Sequence, residues 1–202
     1  MKYIGPDEDV PFFSQFDSNI SETWQNKYCG IVSLYMVMSY FWQQNNKKDA
    51  PSLNEVSLAG LESGSYKADV GWEHTGLANL ARDYGFRAVV RSWFIRNGDL
   101  EIMNNQGRLS NSKEEKLYTG MVQDEFLHTL YNLLADKLPL IISVKPNFGS
   151  NGSDHLIVIT AINDDLSMVK VHDPQEELSA ANQEIKVSYL LKYCNFNGII
   201  VK

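Results

Sequence analysis

The stretch that most constrains this chain runs from Cys29 to Trp42, and only Gly30, Ser33 and Ser39 interrupt its apolar character. It is long enough for about three to four helical turns, and no proline breaks it. A helix that is apolar on every side belongs inside a protein rather than on its surface. The run therefore predicts a central buried helix with Cys29 in its first turn. That turn carries backbone N–H groups without intrahelical partners and the positive end of the helix dipole, and both favour a negatively charged sulfur. The plainer alternative makes Cys29 a small hydrophobe at a helix start. The rest of the chain decides between them.

At 202 residues, 44% hydrophobic and 21% charged, the chain can bury a substantial core and has globular composition. A net charge of −7 argues against a nucleic-acid partner, which would call for a basic face. Outside the central helix the longest apolar run, residues 156–162, is far too short to span a membrane. Residues 1–9 are acidic and lack an apolar segment of signal-peptide type, so the chain as it stands reads as cytoplasmic, or as exported if a leader has been removed. Two cysteines, Cys29 and Cys194, make no disulfide scaffold and have no zinc-type spacing. A Cys29–Cys194 bridge joins two very different neighbourhoods and is disfavoured. No metal or cofactor is expected.

Along the chain, residues 1–9 read as a loosely fixed lead-in and 10–16 as a short extended segment, with Pro11 confining it to an edge or a strand start. Ser52-x-x-Glu55 is a capping-box pattern opening a short helix to about Leu61. Residues 62–70 read as loop. Leu77, Leu80, Ala81 and Tyr84 fall at helical spacing, with Thr75 as the expected N-cap and Gly85 as the stop. Residues 86–93 predict a strand. Residues 97–120 are polar and longer than an ordinary connection, which suggests an exposed insertion or flap. An amphipathic helix follows over 122–136, with Phe126, Leu130, Leu133 and Leu134 on one side.

The second half is strand-like: 139–144, a near-continuous apolar strand from His155 to Ile162 as expected of one covered on both faces, and 167–172 ending at Asp173-Pro174. A short helix over 187–193 and a last strand over 198–201 close the chain. Helices first and a mostly antiparallel sheet afterwards predict an α+β fold in one domain over residues 1–202.

A thiol nucleophile needs a base, and the base needs a group to hold its tautomer. His74, beside a helix start, reads as a solvated loop residue, and His128 as a surface or boundary position on its helix. His155 opens the apolar strand directly after a Gly/Ser-rich loop, at the mouth of the sheet. In the strand over 167–173, Val169, Val171 and Asp173 share one face, and Met168, Lys170 and His172 the other. Asp173 therefore continues the inward side, where a carboxylate needs a partner, and His155 on the neighbouring strand can supply it. This selects His155 as base and Asp173 as its partner, with His172 set aside. Cys29 and His155 stand 126 residues apart, a little below papain-type spacing, and the order Cys, His, acid also fits that fold. Acyl transfer further needs oxyanion donors: the Cys29 N–H is one, and a side-chain amide from Gln15 or Gln25 is a candidate for the second. A metal centre built from His155, His172 and Asp173 lacks ligand spacing.

Four segments in this order, Val10-Pro11-Phe12-Phe13-Ser14-Gln15, then Tyr28-Cys29-Gly30 with Ser33 and Met36, then Asp154-His155-Leu156-Ile157-Val158-Ile159, then Val171-His172-Asp173-Pro174, resemble the C39-like peptidase family, a bacterial branch of the papain-like cysteine peptidases. Gly71-Trp72 with residues 77–86 resembles that family's second helix and its Tyr-Gly turn. The resemblance implies a papain-like fold, Cys29 as nucleophile, His155 as general base and acid, Asp173 as orienting acid, Gln15 as oxyanion donor, and a peptide or peptide-like substrate. Two alternatives accompany it. One is an acyltransferase or transpeptidase that passes the acyl group to an amine. The other is a peptide-binding module without catalysis, against which the joint presence of Cys29, His155 and Asp173 argues.

Overall fold

The computed structural model describes residues 2–17, 27–93, 112–145, 154–175 and 181–202; of residues 112–118 the backbone alone is described. Its elements in order are β1 (Tyr3–Ile4), a 3-10 turn (Asp7–Asp9), α1 (Cys29–Gln44), α2 (Leu53–Glu62), β2 (Tyr66–Lys67), β3 (Gly71–Trp72), α3 (His74–Asp83), β4 (Ala88–Ser92), α4 (Ser112–Ala135), β5 (Leu140–Val144), β6 (His155–Asn163), β7 (Met168–His172), β8 (Gln183–Lys186), α5 (Val187–Tyr193) and β9 (Cys194–Val201).

Seven strands form one sheet in the order β4-β9-β5-β6-β7-β8, with β1 added to β6. All its described pairings are antiparallel. β6 is the spine of the sheet and every one of its residues is buried. Alternation along it explains the unbroken apolar run. Leu156 and Val158 enter a core shared with α1, α2 and α3, whereas Ile157 and Ile159 enter a second core shared with α4 and α5. The sheet is thus covered on both faces, as the run predicts.

α1 lies against β6, with Ile31, Val32, Leu34, Met36, Val37 and Met38 fully buried. Each large apolar side chain so placed contributes roughly 1.5–3 kcal/mol. The second core takes the predicted stripe of Phe126, Leu130, Leu133 and Leu134 from α4. The Ser52–Glu55 capping box is fully formed at the start of α2, with each side chain reaching the other's backbone N–H. Gly85, at φ +91°, adopts the left-handed turn that ends α3.

Several expectations need correction. The lead-in is fixed, not loose. β5 pairs with β6 only as far as Ile159, and β1 takes up the edge at Ile162 and Asn163. Asp7 then pairs with Lys170 on β7 at 2.8 Å. Residues 10–15 form no strand and are instead laced to the end of β7. Residues 66–72 hold a short hairpin where loop was expected. α3 begins at His74 with Glu73 as N-cap, because Glu73 is extended and its N–H is spent on the Ser65 carbonyl at 3.0 Å; Thr75 lies inside the helix. Residues 112–120 belong to α4, which starts ten residues before the predicted boundary of 122, and 97–111 fall outside the described residues. β9 begins at Cys194, four residues before the predicted 198, across a register shift opposite Ile142 and Val144. β8, three of whose four residues are polar, lies at the sheet edge and carries no apolar run to announce it.

Candidate active site

Cys29 is the first residue of α1, as the sequence predicts. Its N-cap, Tyr28, provides no capping side chain, and the first intrahelical bond runs from the Val32 N–H to the Tyr28 carbonyl at 2.9 Å. The N–H groups of the first turn, that of Cys29 included, have no intrahelical partner. One turn on, the buried Ser33 hydroxyl donates to the Leu156 carbonyl at 2.9 Å, which ties α1 to the start of β6. The thiol is half-buried, and both Cys29 and Cys194 are free. Cys194 is buried, accepts the Phe196 N–H, and has its thiol pushed up to about 12 by burial.

His155 opens β6 and is 5% exposed; Asp173 follows β7 and is 6% exposed. The two meet through His155 Nε2 and Asp173 Oδ1 at 2.6 Å, and the same oxygen accepts the Gln175 backbone N–H at 2.9 Å. The imidazole also lies near enough to the Cys29 side chain for that group to act on its charge. With Nε2 taken by Asp173, Nδ1 is the nitrogen left for the thiol. Burial alone would push this imidazole down. The Asp173 carboxylate, which accepts from the ring, and the nearby Cys29 side chain overcome that and hold it up at about 9. The structure thus places Cys29 near a buried His155–Asp173 pair.

Gln15 is 2% exposed, and its N–H donates to the Pro174 carbonyl at 2.8 Å, so it stands against the turn that carries Asp173. Its Oε1 is buried without a hydrogen-bond partner among the described residues. Gln25 lies outside the described residues. His172 is buried and occupied elsewhere. Nε2 donates to the Val10 carbonyl at 2.9 Å and Nδ1 accepts the Asn182 N–H at 3.0 Å, leaving no nitrogen for the thiol. Burial holds its pKa down.

A cleft of about 680 Å³ opens beside the sulfur, lined among others by Cys29, Gly30, Trp72, His74, Asp154 and Asn197. His74 is a correction to the expected solvated loop residue. It is half-buried at the head of α3, its Nε2 has no hydrogen-bond partner among the described residues, and its pKa is lowered by burial, with the Asp154 carboxylate and the Asn197 backbone opposing. Trp72 forms one wall and is 7% exposed. A β-carbon on Gly30 would come within 2.7 Å of Trp72 Cβ, and one on Gly60 within 2.7 Å of its Cζ3, so two helices admit the indole only through glycines. The pattern Gly30, Gly60, Trp72 was the available signal for this wall, but no local periodicity joins the three. Among the described residues no cluster of His, Cys, Asp and Glu is arranged to hold a metal, and no helix is long and apolar enough to cross a membrane.

Comparison with known proteins agrees with this architecture. A C39-like peptidase from Bacillus anthracis matches with a TM-score of 0.59 at 14% identity, over 100% of this chain and 98% of that one. A double glycine motif protease from an AMS/PCAT transporter, in complex with the leader peptide, matches with 0.55 at 16%, over 100% and 98%. The peptidase domain of Streptococcus ComA, a bi-functional ABC transporter involved in quorum sensing, matches with 0.54 at 12%, over 95% and 97%. At such identities these likenesses speak for the fold. A search among curated proteins finds no match. The profile of the Peptidase_C39 like family covers residues 7–198. An antiparallel sheet with a buried N-terminal helix, and a family profile spanning nearly the whole of it, lead to one assignment: the chain belongs to the C39-like peptidase family of the papain-like superfamily.

Proposed function

We propose that this protein is a cysteine peptidase that cleaves a peptide or amide bond through a thioacyl intermediate on Cys29. The observation that supports the reading is the buried His155–Asp173 pair at 2.6 Å, whose imidazole pKa is held up at about 9 by Asp173 and the nearby Cys29. A raised imidazole facing a cysteine is the acidic half of a thiolate–imidazolium pair. In the proposed cycle the Cys29 proton rests on His155 Nδ1 and the sulfur attacks the substrate carbonyl. The oxyanion is held by the Cys29 N–H and the Gln15 side-chain amide. His155 gives its proton to the departing amine as the C–N bond breaks, then takes one from water, whose oxygen displaces the sulfur and releases the acid. Asp173 keeps the ring turned so that Nδ1 faces the sulfur throughout. The cleft beside Cys29 supports an extended substrate, and a protease of the same fold is found in complex with the leader peptide.

The test is the rate of Cys29 alkylation by iodoacetamide against pH, in a Cys194→Ser background, with and without His155→Ala, followed by a fluorogenic peptide library. Alkylation already fast near neutral pH and slowed by loss of His155, together with turnover of at least one peptide, is the expected result. Release of acid identifies water as the acceptor, and transfer to added amine identifies an acyltransferase. Slow alkylation that ignores His155 overturns the enzyme reading in favour of a binding module.

A further inference from the structure

His172, immediately before Asp173, is not used by the proposed chemistry, yet it is 1% exposed and both ring nitrogens are engaged. Nε2 faces a carbonyl oxygen and therefore carries the proton, while Nδ1 accepts an N–H; this fixes a single neutral tautomer. The carbonyl belongs to Val10, at the start of the segment that ends in Gln15. Phe12, in the same segment, meets the His172 ring edge-on with centroids 5.5 Å apart. At its other end the segment is held by Pro174, whose carbonyl takes the Gln15 N–H at 2.8 Å and the Ser14 hydroxyl at 3.5 Å. Residues 10–15 are thus laced to positions 172 and 174, on either side of Asp173. None of these bonds is part of a strand ladder, so side-chain chemistry at 172 does what pairing does elsewhere.

We infer that His172 is a positioning residue that sets the Gln15 segment against the Asp173–His155–Cys29 line. The inference rests on the proposed function, in which Gln15 donates to the oxyanion. Gln15 has no secondary structure of its own to place it, and the Val10 and Pro174 anchors together define where its amide lies. Removing the His172 bond leaves the Val10 carbonyl unheld, while the Val10 N–H still reaches the Asp7 carbonyl at 3.2 Å and Phe13 still meets Tyr35, so the segment loosens rather than detaches.

Two variants and three measurements test this. His172→Phe keeps an aromatic ring beside Phe12 but removes both hydrogen bonds. His172→Gln returns an amide donor toward the Val10 carbonyl. Amide hydrogen exchange of residues 10–17 is expected to quicken about fivefold or more in His172→Phe, with β6 and β7 unchanged as a control for folding. In the same variant kcat for the peptide substrate falls about tenfold to a hundredfold at nearly constant KM, short of the 10²–10³-fold cost of deleting an oxyanion donor outright. Iodoacetamide alkylation of Cys29, which forms no oxyanion, stays within about twofold of wild type. His172→Gln restores both exchange protection and kcat. Unchanged exchange in His172→Phe overturns the inference, as does a fall in alkylation matching the fall in kcat, or a loosened segment with kcat intact. If the wild type turns over no peptide, the proposed function fails by itself, and the exchange data still decide whether His172 places the segment.

Discussion

Ser33 and Leu156 join the two halves of the site: the Ser33 hydroxyl, one turn beyond Cys29, donates at 2.9 Å to the carbonyl of the residue that follows His155. A serine inside a helix usually turns its hydroxyl back on its own helix. Here the bond crosses 123 residues of sequence to the strand that carries the base. Ser33→Ala is expected to cost about 1–2 kcal/mol, because it strips a buried bond of its donor. Turnover falls along with stability, since the separation of Cys29 from His155 is no longer pinned. Thermal melting and kcat on the same samples check this; a loss of stability with kcat untouched would show that the tie serves the fold alone.

Asp173 receives His155 Nε2 and the Gln175 N–H on one oxygen. Asp173→Asn keeps the shape but presents an amide whose NH2 can drive the ring to the other tautomer, with the proton on Nδ1 facing the sulfur. kcat is expected to drop by about 10²–10⁴-fold, far more than the accompanying fall in melting temperature accounts for. A variant that retains more than about a tenth of wild-type kcat would remove Asp173 from the mechanism.

Two helical glycines are expected to respond in opposite directions to alanine. Gly120 in α4 has nothing within 4 Å of an added β-carbon, so Gly120→Ala stabilises by up to about 1 kcal/mol through helix propensity. At Gly30 the same gain is outweighed, since the β-carbon would meet Trp72 Cβ at 2.7 Å and Leu156 Cδ1 at 3.2 Å. Trp72 cannot retreat, because Gly60 already admits its far edge without room to spare. Gly30→Ala therefore destabilises by about 1–3 kcal/mol and disturbs the turn that holds Cys29. Denaturant midpoints of the two variants give the signs directly.

Stability is expected to fall on both sides of neutrality, for different histidines. The His155 pKa lies up at about 9 in the folded protein, above its ordinary 6.5. Its contribution is fully present below pH 6.5 and is lost as pH rises through 9, on the order of 1–3 kcal/mol. His74 and His172 are held down by burial, opposed mainly by Asp154 for the first, and by the Val10 and Val171 backbone and Asp7 for the second. Below about pH 6.5 the unfolded chain takes up protons at these two rings before the folded one does, so their contribution is lost as pH falls. Melting curves of wild type, His155→Gln and His172→Gln across this range separate the arms: the first variant flattens the alkaline side and the second the acid side. Parallel curves for all three would contradict the assignment.

Much of this site was legible in the chain because it follows from local pattern. An apolar run without proline can only be a buried helix, and its boundary puts Cys29 in the first turn whatever surrounds it. The continuous apolar stretch after His155 demanded cover on both faces and received it from α1–α3 and α4–α5. The β7 alternation separated Asp173 from His172, and it is His155 that Asp173 meets. What the tertiary structure alone decided are relations between residues distant in sequence. The spare edge of β6 beyond Ile159 captured residues 3–4, which no property of the acidic N-terminus announces. His74 entered the cleft because α3 begins two residues earlier than its capping chemistry suggests and Asn197 stands opposite it. The role of His172 likewise depends on a carbonyl 162 positions away. Period and composition report which face of an element is apolar; they carry no record of which distant polar atom will be left needing a partner when the elements close together, and that need fixed the remainder of the site.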